Sequence, residues 1–141
     1  MGRKVHPIGF RLGIIKDWEA RWFAPKNKYA ERLQQDLTIR KLITSMAQRS
    51  AIARIDIERF PSQVVVTIWT AKPGIVIGRK GAQVKVLRQK LEELTGQKVK
   101  VEVEEITSPD LEAKLVADNI ADQIERRISH SRAMKRAIGQ A

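Results

Sequence analysis

A basic loop framed by glycines, Gly78-Arg79-Lys80-Gly81, constrains the fold of this 141-residue chain more than any other feature. It directly follows the apolar residues 75–77 and directly precedes an amphipathic run over residues 82–94. Because glycine has no Cβ, it lets the backbone turn sharply and approach a ligand closely. A helix that begins after Gly81 would direct free N–H groups and the positive end of its dipole at the loop. The pattern therefore predicts a loop that holds phosphate groups.

Other interpretations of these glycines have less support. A lone G-x-x-G is common and often marks a plain turn. A Walker A loop needs four residues between its glycines and then Lys and Ser or Thr, whereas three residues separate Gly74 from Gly78, and Lys80 is followed by Gly81. The Rossmann pattern G-x-G-x-x-G is absent from the sequence. Nucleotide hydrolysis therefore has little support, and the meaning of the loop depends on its context.

Composition limits the classes of fold and partner. The chain is long enough for one domain with a buried core, and that core should be aliphatic because aromatic residues make up only 5%. Lys and Arg number 27 against 16 acidic residues, a net charge of +11, which indicates a polyanionic partner such as nucleic acid. No stretch is long and apolar enough for a membrane span, and no secretory signal is present. With no cysteine to suggest disulfides, we expect the cytoplasm or an organelle of bacterial descent.

The charge is unevenly distributed. The net charge is +7 over residues 1–50, zero over 51–71, +6 over 72–100, −7 over 101–125 and +5 over 126–141. A surface that served only solubility would mix its signs. We therefore expect the anionic partner to be bound on one side of the molecule.

The first 27 residues show neither a helical nor a strand period. They combine cations with glycine, proline and aromatic residues, among them Trp18, Trp22 and Phe23. The aromatic rings either stack on bases or, the favoured interpretation, hold the segment against its own domain. We interpret residues 1–27 as a basic N-terminal arm that is loose when the protein is alone and is ordered by its partner.

Periodicity predicts the elements that follow the arm. Residues 28–48 form a helix with a core-facing stripe made of Ile39, Leu42, Ile43, Met46 and Ala47. Residues 53–58 and 64–70 form strands separated by a turn, and a short apolar turn or helix over 74–77 leads into the loop.

The second half continues with a helix over 82–94, which buries Val84, Leu87, Leu91 and Leu94 and ends at Gly96. A third strand follows over 98–104, and Ser108-Pro109-Asp110 begins a long helix that extends to Ile128. The helical crossover makes the strands on either side of the loop parallel neighbours.

This order of helix, strand, strand, helix, helix and strand matches an α+β fold, the type II KH domain, with a three-stranded mixed sheet packed on helices. In KH domains a GXXG loop clamps about four nucleotides of a single strand. We assign residues 1–27 to the arm, 28–107 to the KH domain and 108–141 to an additional C-terminal helical segment.

Several long blocks also resemble a ribosomal family. GRKVHPIGFRLG (residues 2–13), WFA (22–24), AKPGIVIGRKG (71–81), LEAKLVADNIADQIERR (111–127) and AMKRAI (133–138) are similar to the N-terminal portion of the third protein of the small ribosomal subunit, of bacterial or organellar type. The resemblance implies binding of ribosomal RNA in the subunit head, near where messenger RNA enters, beside neighbouring head proteins. It also implies a second α/β domain, before which this chain would be truncated.

The expected RNA-binding residues combine the loop with the basic patches. They are Gly78, Arg79, Lys80, Gly81, Lys72, Lys85, Arg3, Lys4, Arg11, Arg126, Arg127, Arg132, Lys135 and Arg136. The family often has two arginines where this chain has Ser131-Arg132, and it associates these positions and Lys135 with gripping and unwinding messenger RNA. The last five cations are accompanied by no acid over residues 126–141, which favours RNA contact over a merely solvated helix end.

Other classes of function lack their residues. We find no nucleophile–base pair, and Glu104 and Glu105, adjacent on a strand, point to opposite faces. His6 and His130 are far apart in the sequence and have no cysteine beside them, so we expect no metal site. We also expect no cofactor and no enzymatic activity. The alternative is a stand-alone KH module of a transcription or ribosome-assembly factor that binds single-stranded RNA. A membrane-surface protein is least supported, because no basic face is paired with a large apolar one.

Overall fold

The computed structural model describes residues 2–46 and 50–141. The described elements, in chain order, are α1 (Pro7–Arg11), β1 (Ala20–Arg21), α2 (Lys26–Met46), β2 (Ile52–Arg59), β3 (Gln63–Thr70), α3 (Pro73–Ile77), α4 (Ala82–Thr95), β4 (Lys98–Glu105), α5 (Ala113–Glu125) and α6 (His130–Gln140). Short 3₁₀ turns occupy Arg79–Gly81 and Pro109–Leu111. Ala47 of the predicted α2 stripe lies outside the described residues.

The strands form one sheet in the order β1-β2-β3-β4. β2 and β3 are antiparallel, with Ile57 opposite Val66, and β3 and β4 are parallel, with Val66 opposite Val101. The parallel pair is joined by α3, the glycine loop and α4. The sequence therefore predicted the central crossover correctly.

The core lies between the inner face of the sheet and helices α2, α3 and α4. It is aliphatic, as expected, because alternate residues of the strands and one face of each helix carry branched apolar side chains. Its buried members are Ile39, Ile43, Ile55, Ile57, Val64, Val66, Ile68, Val76, Leu87, Leu91 and Val99. Two residues predicted to belong to it, Met46 and Leu94, are each 42% exposed.

The arm is not free of regular structure, and the three-stranded sheet gains a fourth strand. The two-residue β1 pairs parallel with β2, Ala20 opposite Ile57 and Arg21 opposite Glu58. Residues 7–11 form the short helix α1. A two-residue strand is too short to display an alternating period, so the sequence pattern could not reveal it.

The C-terminal segment is helical, as predicted, but its long helix ends at Glu125 rather than at Ile128, and a second helix, α6, follows. The N–H of Arg127 donates to Ile124 O (2.8 Å) and that of Ile128 donates to Gln123 O (3.0 Å). This pair of bonds is a Schellman motif, with Arg127 at φ 62° in the position that glycine usually occupies. The expected helix start at Ser108 is also wrong, because Pro109–Leu111 is a 3₁₀ turn and α5 begins only after Glu112.

One carboxylate ties α4 to β4. Glu92 accepts the backbone N–H of Val99 (3.2 Å) and the Nε–H of Arg88 (3.0 Å). Both bonds favour the ionised form, and they hold the pKa of Glu92 below its ordinary value of 4.5.

This lowered pKa predicts an acid-sensitive contribution to folding. The stabilisation is complete above the ordinary carboxyl pKa and is lost as the pH falls through the lower folded-state pKa. We expect Glu92→Gln to flatten the fall in melting temperature below about pH 4.5, and Glu93→Gln, at an exposed neighbour, to leave it unchanged. Identical acid limbs in the wild type and Glu92→Gln would contradict the prediction.

Among the helices of residues 2–46 and 50–141, none combines the length and the apolar character needed to cross a bilayer.

Candidate nucleic-acid interface

The glycine loop is a tight connection between two helices. Pro73 begins α3, and the N–H of Gly78 closes it by donating to Gly74 O at 3.0 Å. Arg79 and Lys80 follow with exposed side chains, and Gly81 precedes the first residue of α4. The two cations therefore stand beside the N-terminus of a fourteen-residue helix, where an anion is favoured.

The two glycines meet different requirements. Gly78 has φ 70° and ψ 177°, a region that essentially only glycine occupies. A Cβ at this position would also lie 2.7 Å from Gln83 Cγ. Gly81 has φ 74° and ψ 16°, the left-handed helical region, and nothing lies within 4 Å of an added Cβ. Gly78 is thus required by both conformation and space, and Gly81 by conformation alone.

The difference predicts unequal costs of substitution. We expect Gly78→Ala to lower the free energy of unfolding by about 1–3 kcal/mol, the usual cost of a strained backbone position. Gly81→Asn should cost less than about 1 kcal/mol, because asparagine tolerates the left-handed region. Urea unfolding of both variants measures the two costs. An equal loss would show that the conformation at Gly78 is not special.

The cations predicted to bind RNA share one kind of surroundings, which a second group of seven cations lacks. All of them are exposed, and within residues 2–46 and 50–141 none forms an ion pair: Arg3, Lys4, Arg11, Lys72, Arg79, Lys80, Lys85, Arg126, Arg127, Arg132, Lys135 and Arg136. Arg11 donates to the carbonyl oxygen of Pro7, at 2.9 Å. By contrast, ion pairs engage Arg21, Arg40, Arg54, Arg59, Arg88, Lys100 and Lys114. The selected cations are therefore available to phosphates.

The structure divides these cations among three parts of the chain. Lys85 lies on the first turn of α4, immediately after the loop, so the sequence places it with Arg79 and Lys80. The arm carries the first group, Arg3, Lys4 and Arg11, and the turn after α5 together with α6 carries the last five. Sequence reasoning missed six further cations that are exposed and form no ion pair in the described part of the chain: Lys16, Lys26, Lys28, Lys41, Lys90 and Lys98. No pattern beyond charge distinguishes them.

Lys72 has a different environment from the loop. It lines an open groove of about 920 Å³ between the start of β2 and helix α5. Five carboxylates line the same groove, those of Glu19, Asp110, Asp118, Asp122 and Glu125. Because these acids compete with phosphate for its charge, Lys72 is the weakest phosphate-binding candidate of the set.

The cations of α6 lie on one face of that helix. Arg132, Lys135 and Arg136 are spaced i, i+3, i+4 and are all exposed. Ala133 is fully buried where α6 packs on α5, so the basic stripe lies beside the packed face rather than on it. Arg126 and Arg127 occupy the turn between the two helices.

Trp18, Trp22 and Phe23 of the arm differ in burial. Trp22 is partly buried, and its ring lies 5.4 Å from that of Tyr29, as the interpretation of a ring held against its own domain predicted. Trp18 and Phe23 remain 62% and 88% exposed. Among the described residues, no group of three or more His, Cys, Asp or Glu side chains is arranged to hold a metal ion.

Comparison with known proteins decides the family. The family described as KH domain matches residues 37–111, which is more than half of the chain. The chain belongs to the KH domain family. Its helices and strands over residues 26–105 follow the type II KH order that the sequence predicted.

The KH domain and its flanking segments are similar throughout to one ribosomal protein. "Small ribosomal subunit protein uS3" of Carboxydothermus hydrogenoformans is 53% identical over 141 residues, which cover 100% of this chain and 64% of the relative. The same protein of Persephonella marina is 54% identical over 142 residues, with 100% and 63% covered. That of Dehalococcoides mccartyi is 54% identical over 138 residues, with 98% and 50% covered. The chain thus spans between half and two thirds of the length of these relatives.

Proposed function

We propose that this chain is a structural, RNA-binding constituent of the small ribosomal subunit, bound to ribosomal RNA in the subunit head near where messenger RNA enters. The observation that carries the proposal is the state of the cations. The candidate cations of the loop, of the arm upstream of residue 12 and of α6 are exposed and have no carboxylate partner among the described residues, whereas most cations on the sheet are ion-paired. The similarity to small-subunit proteins along the chain supports the ribosomal setting.

The proposed mechanism at the loop is electrostatic. Phosphates of a single strand lie against Arg79 and Lys80, beside the N-terminus of α4, and the small glycines let the RNA backbone approach. Each phosphate contact releases condensed counterions, so binding weakens as salt rises. No bond is made or broken, and the chain acts without a cofactor and without catalysis.

Exposed apolar residues of the arm also favour contacts with neighbouring proteins in the subunit head. Several large apolar side chains are 56–85% exposed there: Val5, Ile8, Phe10, Ile14 and Ile15. Most of them are aliphatic and neither pair with phosphate nor stack on bases, whereas a protein surface can bury them. On this proposal the protein is located on the ribosome of a cytoplasm or an organelle.

Co-sedimentation tests the proposal. The chain is added to small subunits depleted of their salt-extractable proteins, pelleted through sucrose, and washed with high salt. We expect retention on the subunit. Release by the wash, together with binding to free single-stranded RNA, would favour the stand-alone KH module. Failure to bind either subunits or RNA would refute the proposal.

A further inference from the structure

One face of α2 holds the arm. Arg32, Asp36 and Arg40 are spaced four residues apart, so their side chains lie on the same face of the helix. Each of them bonds the segment of residues 19–23, in reverse order along the chain: Arg32 Nη1 to Phe23 O (2.9 Å), Trp22 Nε1 to Asp36 Oδ2 (2.7 Å), and Arg40 Nη1 to Glu19 Oε2 (3.0 Å). We call residues 19–23 with this helix face the arm clamp.

Strand β2 completes the clamp from the other side. The N–H of Ile57 donates to Glu19 O at 2.8 Å, and Arg21 reaches Glu58 at 3.4 Å. Arg59 Nε donates to Asp36 Oδ1 at 3.0 Å, and its guanidinium lies 6.0 Å from the ring centre of Trp22. The segment is therefore fixed between α2 and β2.

The contacts of the clamp differ in strength. The side chains of Asp36 and Arg59 are each only 5% exposed, so their charge-assisted bonds lie in a dry, low-dielectric site. Trp22 binds directly to that buried pair. Glu19 is 58% exposed in its pair with Arg40, and exposed pairs contribute little. Trp22 is therefore the main side chain by which the arm is held.

We propose that the arm clamp is a positioning device for RNA binding, with Trp22 as its positioning residue. The clamp fixes the point at which the basic residues upstream of it leave the domain, so that the arm and the KH loop present their cations to one RNA together. A free arm would have to be ordered at the moment of binding, and the clamp supplies that order beforehand. This inference rests on the proposed RNA-binding function.

The test uses Trp22→Phe, which keeps the charge and most of the ring but removes the N–H donor. The matched control is Trp18→Phe, because Trp18 is exposed and has no bonded partner in the described part of the chain. Exchange of the Ile57 amide reports whether the arm is seated, since that N–H donates to Glu19. The probes are a single-stranded RNA of about 24 nucleotides and one of about 6, the latter long enough only for the roughly four nucleotides held by the loop.

We expect Trp22→Phe to expose the Ile57 amide and to weaken binding of the long RNA by about three- to ten-fold, the cost of ordering a few released side chains. Binding of the short RNA should stay within about two-fold of wild type, because the loop is intact. Trp18→Phe should behave as wild type with both probes. If Trp22 had a purely structural role, Trp22→Phe would lower the melting temperature but would change the affinities for the long and the short RNA equally.

A disulfide that holds the arm in the Trp22→Phe variant tests whether RNA binding needs the position of the arm or the indole itself. Arg21 and Glu58 are opposite each other in the β1–β2 pair, so Arg21→Cys with Glu58→Cys places two thiols at bridging distance and leaves the net charge unchanged. The chain has no other cysteine. In the Trp22→Phe background, the oxidised double-cysteine variant should bind the long RNA as wild type does, and reduction should abolish the rescue.

The outcomes are decisive. Unchanged long-RNA affinity in a variant whose Ile57 amide has lost protection would overturn the proposal, and so would a disulfide that restores protection without restoring affinity. If Trp22→Phe leaves the amide protected, Trp22→Ala is tested, and protection in that variant too would show that Trp22 does not hold the arm. Wild-type protein that binds neither RNA would refute the underlying function instead.

Discussion

Replacing both Arg79 and Lys80 with aspartate is expected to weaken the binding of short single-stranded RNA at least ten-fold, about 1.4 kcal/mol, with almost no loss of fold stability. Two attractive charges become two repulsive ones beside the phosphates, and both glycines that shape the turn remain. Titration of labelled RNA measures the affinity, and urea unfolding measures the stability.

The structure explains why stability should be spared. Both side chains are exposed and lie outside every ion pair of the described residues. Lys80 has φ 52°, in the left-handed region, and aspartate is among the residues that tolerate this region. Surface substitutions of this kind usually change stability by about 0.5 kcal/mol or less.

The matched control is the replacement of Lys26 and Lys28 with aspartate. These cations are also exposed and form no ion pair within the described part of the chain, and the change in net charge is the same. Short-RNA affinity should fall much less in this control. Equal affinities in the wild type and the loop variant would mean that the loop is only a turn. An equal loss in the control would assign the effect to total charge.

The core of the fold could be predicted from the sequence because its signals are local. Alternation in β2 and β4 and the spacing of Leu87 and Leu91 in α4 gave the type II KH order, with boundaries within one or two residues for most elements. The C-terminal break could not be predicted in this way. It depends on Arg127 adopting a positive φ, and an arginine in that position carries no local signal.

The seating of the arm was also beyond local reasoning, because it depends on a tertiary network. One local sign of the seating is present in the sequence. Asp36 is a charged residue in line with the buried Ile39 and Ile43 on one face of α2. An acid at such a position requires a buried partner, and the structure supplies Arg59 and Trp22. The sequence could suggest that a partner exists but not which residue it is.

The sequence shows which candidate site residues are charged. It does not show which of these charges remain without an ion-pair partner in the folded chain. Arg54 and Arg132 look alike in the sequence. In the folded chain Arg54 lies 4.5 Å from the centre of the Trp69 ring and pairs with Asp56, whereas Arg132 is exposed and unpaired among the described residues. Trp69 lies opposite Arg54 across β2 and β3, and this register, which local sequence does not show, helps to occupy Arg54 within the fold.

Replacing Arg132, Lys135 and Arg136 together with alanine is expected to flatten the salt dependence of binding to single-stranded RNA. Each lost phosphate contact reduces the slope of log affinity against log salt by roughly 0.7, so three lost contacts reduce it by about 2. The helix should persist, because alanine has the highest helix propensity and the basic stripe is not the packed face of α6. Conversely, Ser131→Arg should steepen the slope by up to roughly 0.7. The control removes the same charge from ion-paired cations, through Arg88→Ala, Lys100→Ala and Lys114→Ala, each of which has a carboxylate partner on its own element. That triple variant should keep nearly the wild-type slope. If the slope of log affinity against log salt falls equally in both triple variants, the effect is due to net charge. If the α6 variant keeps the wild-type slope and affinity, its cations serve only solvation.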